Sequence, residues 1–146
     1  MAEWVKIIVS TCIGFLAGQI GELLKNAVQL KIVMLRMQRA IELDCLRVRT
    51  SIEVAHVGLV PEEKAWQGIK LQGFEYYWEK SRELFFSSLP LHLVAVHCQV
   101  IQNVQMAVIR GDISSKDGET QILKAVEEIS AEMPQGGLLR RRIRKL

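Results

Sequence analysis

The side chains best equipped for chemistry crowd one stretch, where His92, His97, Gln99, Gln102, Asn103 and Gln105 lie within fourteen residues. Two histidines suggest a metal site first. They stand five apart, which turns them to different sides of a helix, whereas a helical metal pair needs a spacing of four. His97 is beside Cys98 in sequence and points into an apolar arc, so it reads as a core histidine. Glu75, Glu79 and Glu83 form a carboxylate ladder, but Lys80 and Arg82 accompany it, which marks a solvated face. No phosphate loop, dinucleotide-binding glycine pattern, HExxH, GxSxG or paired CxxC occurs, and the Glu-x-x-His pairs of di-iron bundles are absent. These residues argue against an enzyme and call for no metal or cofactor.

What remains is hydrogen bonding without charge. From Leu84 to Ile109 no residue is formally charged with histidine neutral. On a helical wheel Leu93, Val96, Val100, Val104, Val108 and Ile101 form an apolar arc, and His92, Gln99 and Asn103 cluster opposite, with Gln102 and Gln105 nearby. Water-facing helix surfaces ordinarily carry Lys, Glu or Arg. This one is therefore expected to be covered by its own bundle, by another subunit or by a small ligand. His92, Gln99, Gln102 and Asn103 are its candidate ligand or subunit contacts. Their number also argues against a second lipid-facing span.

The elements that position these residues are all helical. No proline or glycine interrupts the chain between Gly21 and Gly58. There Leu30, Met34, Met37, Ile41, Cys45, Val48, Ile52 and Ala55 form a near-heptad stripe, the pattern of one long helix. Gly58 ends it, and Pro61 with Glu62 and Glu63 opens the next helix. An aromatic face from Trp66 through Phe74, Trp78 and Phe85 continues to about Phe86, with Gly68 and Gly73 as points of close crossing or kinking. Ser88 caps a third helix with Pro90 in its first turn. A loop across ISSKDGE then leads to a last helix from about Gly118 to Met133, with Ile122, Val126 and Ile129 inward.

The N-terminal segment differs in kind. Ile7 to Gly21 has no charge over fifteen residues, and Val5, Leu23 and Leu24 extend the apolar character to about twenty. Fifteen helical residues cover about 22 Å, and the hydrocarbon core is about 30 Å thick. Snorkelling by Lys6 and an interfacial Trp4 make up the shortfall. A cleaved signal peptide fits poorly, since Glu3 accompanies the single Lys6 and no cleavage-like site follows. A buried core helix is the competing reading, and a membrane span is the favoured one. Four cations and no acid lie between Lys25 and Arg39, so the remainder of the chain is expected on the cytoplasmic side. Ser10, Gly14, Gly18 and Gly21 share one face and offer close helix packing, with Gln19 as a polar aid.

The chain has 146 residues, is 49% hydrophobic and 24% charged, and carries a net charge of +3 that is unevenly placed. The body from Ala40 to Gly137 has nine Lys/Arg against fourteen Asp/Glu, a net of −5. The end of the chain carries Arg140, Arg141, Arg142, Arg144 and Lys145 without an acid. That tail is suited to anionic lipid, to nucleic acid or to an acidic partner, by electrostatics alone. Cys12, Cys45 and Cys98 are far apart and read as small buried hydrophobes, not as a disulfide frame.

The expectation is thus an all-α chain: a transmembrane helix over 1–24, a basic stalk helix over 25–57, a helical bundle over 58–134 and a basic tail over 135–146. Its expected role is a single-pass membrane protein, C-terminus cytoplasmic, that forms a homo-oligomer or joins a larger membrane complex as an assembly or interaction subunit. The alternative is a ligand-gated effector whose bundle senses a small anionic molecule such as a nucleotide. There His92, Gln99, Gln102 and Asn103 would supply neutral hydrogen bonds, and Arg110 or the tail would supply charge.

Overall fold

The computed structural model describes residues 2–133. Among them the fold is all-α, with α1 Ala2–Val57, α2 Glu62–Gln67, α3 Gln72–Lys80, a 3₁₀ turn Arg82–Phe86, α4 Leu89–Arg110 and α5 Ser115–Glu132. The chain divides into two units, Met1–Arg36 and Met37–Leu146. In the first, every described residue up to Ile32 is exposed, including Trp4, Ile8, Phe15 and Leu23. In the second, α1 buries Met37, Ile41, Cys45, Val48 and Ile52, the middle of the stripe foreseen from the spacing; of its outer members, Leu30 is exposed and Met34 and Ala55 are half-buried. Those turns belong to the core of the second unit.

Helix ends follow from local chemistry. Gly58 and Gly111 take positive φ of 76° and 81°, which side chains resist. Each closes a six-to-one and five-to-two pair of backbone bonds, Leu59 N to Val54 O and Gly58 N to Ala55 O, then Asp112 N to Ala107 O and Gly111 N to Val108 O. Ser88 Oγ accepts from Leu91 N at the start of α4. Ser114 Oγ accepts from Asp117 N, so α5 begins at Ser115, a turn earlier than its apolar pattern suggests.

The aromatic segment is two helices and a 3₁₀ turn, where the spacing suggested a single helix. Distant side chains hold both ends of the break. Gln105 Nε2 donates to Trp66 O at 2.6 Å and to Ile69 O at 2.7 Å, occupying carbonyls that a continuous helix would have bonded itself. α3 has Leu71 at its N-cap, with no capping side chain of its own. Asp44, on the buried stripe of α1, caps it instead: its carboxylate accepts from Gly73 N at 3.2 Å and from Phe74 N at 2.8 Å. Asp44 is 1% exposed, the one buried charged residue among those described. Burial pushes its carboxyl above the usual range, opposed by the Phe74 and Gly73 amides and by Arg47.

The cap lets α3 lie close on α1. A Cβ on Gly73 would meet the Ala40 Cβ and carbonyl oxygen at 2.8 Å, a contact with backbone that cannot yield. Phe74 is thereby seated in the core, with ring centroids 5.5 Å from both Trp78 and Phe85. α4 and α5 complete the interior with Leu91, Val94, Cys98 and Ile101 against Ile122, Val126 and Ile129.

The buried side of α4 is rotated from the expected arc. Leu91, Val94, Ala95, Cys98, Ile101 and Val104 are inside. Val96 and Val100 are exposed, and Leu93 and Val108 only half-buried. α4 is apolar on two sides, and α5 takes the side that spacing alone did not select.

Asp44→Ala leaves two amides of a buried helix start without an acceptor and is expected to cost about 2–4 kcal/mol. Gly73→Ala is expected to cost at least about 2 kcal/mol through overpacking. Denaturant midpoints at unchanged slope check both, and a loss below about 0.5 kcal/mol for Asp44→Ala would dismiss the cap.

Candidate functional site

Among the described residues of the second unit, polar groups meet accessible surface on the outward side of α4 and in a cleft bounded by α1, α2 and α5. The proposed chemistry-bearing residues do not converge. Gln102 Nε2 donates to Glu75 Oε1 at 3.1 Å and so ties α4 to α3. Gln105 closes the end of α2 through its bonds to Trp66 O and Ile69 O. Gln99 and Asn103 are exposed. His92 is half-buried, its ring 5.3 Å from that of Phe86, and its Nδ1 is buried with no hydrogen-bond partner. The uncharged stretch therefore splits, one edge spent inside the bundle and the other facing out.

The cleft was not foreseen. It holds about 550 Å³ and has Ile52, Ala65, Trp66 and Ile69 among its lining, with His56, Glu62, Lys116 and Glu119 as polar groups. That volume is within the range of small-molecule sites. His56 Nε2 and Glu119 Oε1 are 2.5 Å apart and join the last turn of α1 to the second turn of α5. The hydrogen bond to Glu119 and its charge raise the His56 pKa above 6.5. The only forewarning in the sequence was a histidine in the last turn of a long helix. Glu119 is sixty-three residues away, and nothing local connects the two.

Thiol chemistry has no support in the body. Burial pushes the Cys45 thiol up to about 12, with Asp44 adding to the effect, and burial raises Cys98 as well. Cys45 and Cys98 match the expectation of small buried hydrophobes. Cys12 does not, being exposed on α1. Among the described residues no three His, Cys, Asp or Glu side chains gather as a metal group would require. A Cβ placed on Gly14, Gly18 or Gly21 would have nothing within 4 Å, which leaves their face open, with Ser10 also exposed. Arg140, Arg141, Arg142, Arg144 and Lys145 lie outside the described residues.

A histidine whose folded pKa is raised contributes stability that is fully present below its unfolded pKa and is lost as pH rises through the folded value. The His56–Glu119 pair is therefore expected to stabilise the chain below pH 6.5 and to weaken above it. In an NMR titration of the detergent-extracted chain, the His56 ring should titrate above 6.5 and return towards that value in Glu119→Gln. An unchanged titration in the variant would remove the pair.

Compared with protein families, with characterised proteins and with solved structures, the chain matches none.

Proposed function

We propose that the chain is a single-pass membrane protein without enzymatic activity, which self-associates and serves as an assembly or interaction subunit at the cytoplasmic face. One observation carries this reading: α1 contains an eighteen-residue window of mean hydropathy 1.7, none of it buried within the protein. Apolar residues left exposed on every side of a helix need an apolar surrounding. Lipid supplies one.

Polar groups in that segment fit the same surrounding. Ser10 Oγ and Thr11 Oγ1 both donate to Ile7 O, at 3.0 and 2.7 Å, so their hydroxyls are satisfied within the helix. Lys25, Lys31, Arg36 and Arg39 follow without an acid, which favours a cytoplasmic body. Ser10, Gly14, Gly18 and Gly21 leave one side open to a neighbouring backbone.

A second reading, a membrane effector gated by a small ligand, draws support from the cleft beside Trp66. Its binding groups would then be His56, Glu62, Lys116 and Glu119, in place of the α4 side chains.

The membrane reading is tested by alkaline extraction and by protease treatment of sealed, oriented vesicles. The chain should stay with the membrane, and its body should be digested only from the cytoplasmic side. Release by alkali overturns the anchor, and digestion from the opposite side overturns the orientation. Native mass measurement of the detergent-extracted chain should show more than one copy, and Gly14→Ile with Gly18→Ile should reduce that number. A monomeric wild type would overturn self-association.

A further inference from the structure

The exposed apolar surface of α1 does not stop where its uncharged run stops. Beyond Lys25 it continues with Val28, Leu30, Ile32 and Leu35, which are 57%, 51%, 42% and 45% exposed. Lys25, Lys31 and Arg36 are interleaved with them, all exposed, and no acid lies between Lys25 and Arg39. A basic stalk in water gains nothing from four large apolar side chains. Hydrocarbon suits the segment no better, since it would strip water from three cations. The layer where phosphate headgroups meet the acyl chains suits both kinds of residue: apolar bodies rest at the acyl boundary, and long cationic side chains reach out to the phosphates.

Length agrees with that placement. From Trp4 to Leu35 an α-helix rises about 46 Å. The hydrocarbon alone is about 30 Å thick, and the bilayer with its headgroup regions about 40–45 Å. A tilt of about 20° takes up the excess.

Side-chain directions decide between lipid and a docked helix. At about 100° per residue, Leu30 is turned about 160° from both Val28 and Ile32, and about 140° from Leu35. Lys31 is likewise turned about 120° from Lys25 and about 140° from Arg36. A helix docked on one side would cover one set and leave the other in water, whereas a headgroup layer surrounds them all. The cations are also free to bind. Among the described residues the salt bridges are Arg47–Asp44 and His56–Glu119, so Lys25, Lys31 and Arg36 have no carboxylate partner. Arg39 differs, standing near Glu42, whose carboxyl is raised by burial and lowered by the Arg39 charge.

We propose that Lys25, Lys31 and Arg36 bind the phosphates of anionic lipids in the cytoplasmic headgroup layer, with Val28, Leu30, Ile32 and Leu35 seated at the acyl boundary among them. The proposal rests on the membrane-span reading above and gives the anchor a lipid preference.

The test offers the full chain in detergent equal amounts of phosphatidylglycerol and phosphatidylcholine with the same acyl chains, and reads the retained lipid by native mass measurement. The wild type should retain phosphatidylglycerol in preference by at least about tenfold. Lys25→Gln, Lys31→Gln and Arg36→Gln together should abolish the preference, and Arg39→Gln should leave it. Equal retention by the wild type overturns the proposal. So does a preference that survives the triple variant, which would place the lipid contact on other cations. Depth is read separately in mixed vesicles of the two lipids, with an environment-sensitive fluorophore on Ile32→Cys in a Cys12→Ser chain, where Cys45 and Cys98 are buried. A spin label on the lipid headgroup should quench it, and unquenched emission like that in water overturns the placement. If alkali releases the chain from membranes, the span reading and this one fall together. If the chain resists alkali but retains the two lipids equally, only this one falls.

Discussion

The body depends on one carboxylate placed where a carboxylate is costly. Asp44 sits on the buried stripe of α1 between Ile41 and Val48, and it is kept there by two backbone amides at the start of α3. Arg47, 3.9 Å away and largely exposed, adds little. Neither side of this contact is stable alone. An unpaired buried charge and two unpaired buried amides each carry a penalty of about 1–3 kcal/mol or more. Joined, they fix where α3 crosses α1, and Gly73 makes that crossing close enough for Phe74 to enter the core. Gln105 does the corresponding work for α2 from the opposite wall. The two caps explain why the aromatic segment is broken into short helices that wrap the core.

α4 is the central wall of that body, and its composition is unusual for such a place. It is apolar on both sides and has no formal charge before Arg110. Packing against α5 consumes one side, where the lack of side chains at Gly118 brings Val108 and Trp66 against the α5 backbone. The other side keeps Leu89, Val96 and Val100 in view with neutral amides among them. A solvated bundle helix would have gained solubility from lysine or glutamate at those positions.

The all-α fold, the long first helix, the Met37–Ile52 stripe and the inward residues of α5 were legible because each is a local periodicity. The two caps were not legible, since they join residues twenty-nine to thirty-nine apart in sequence. Asp44 did leave a trace: a carboxylate on an apolar stripe, paired with a helix start at Leu71 that lacks a capping side chain. The rotation of α4 could not be read either, because a helix apolar on two sides offers a wheel no single inward face. For the same reason the group of His92, Gln99, Gln102 and Asn103 looked like one site, while the fold separates Gln102 from the rest. The cleft at His56 depends on a contact across sixty-three residues, which no spacing rule reaches.

The first unit carries the central functional claim, and its chemistry provides a native reporter. Cys12 lies in the apolar segment, exposed on the helix, while Cys45 and Cys98 are buried. The decisive measurement is the labelling of Cys12 by a water-soluble, membrane-impermeant maleimide, in native membranes and then after detergent and denaturation. A membrane-spanning segment predicts that Cys12 stays unlabelled in membranes, even when these are opened to expose both faces, and reacts once the lipid is removed. Labelling in intact membranes as fast as that of an unhindered thiol in water would contradict it.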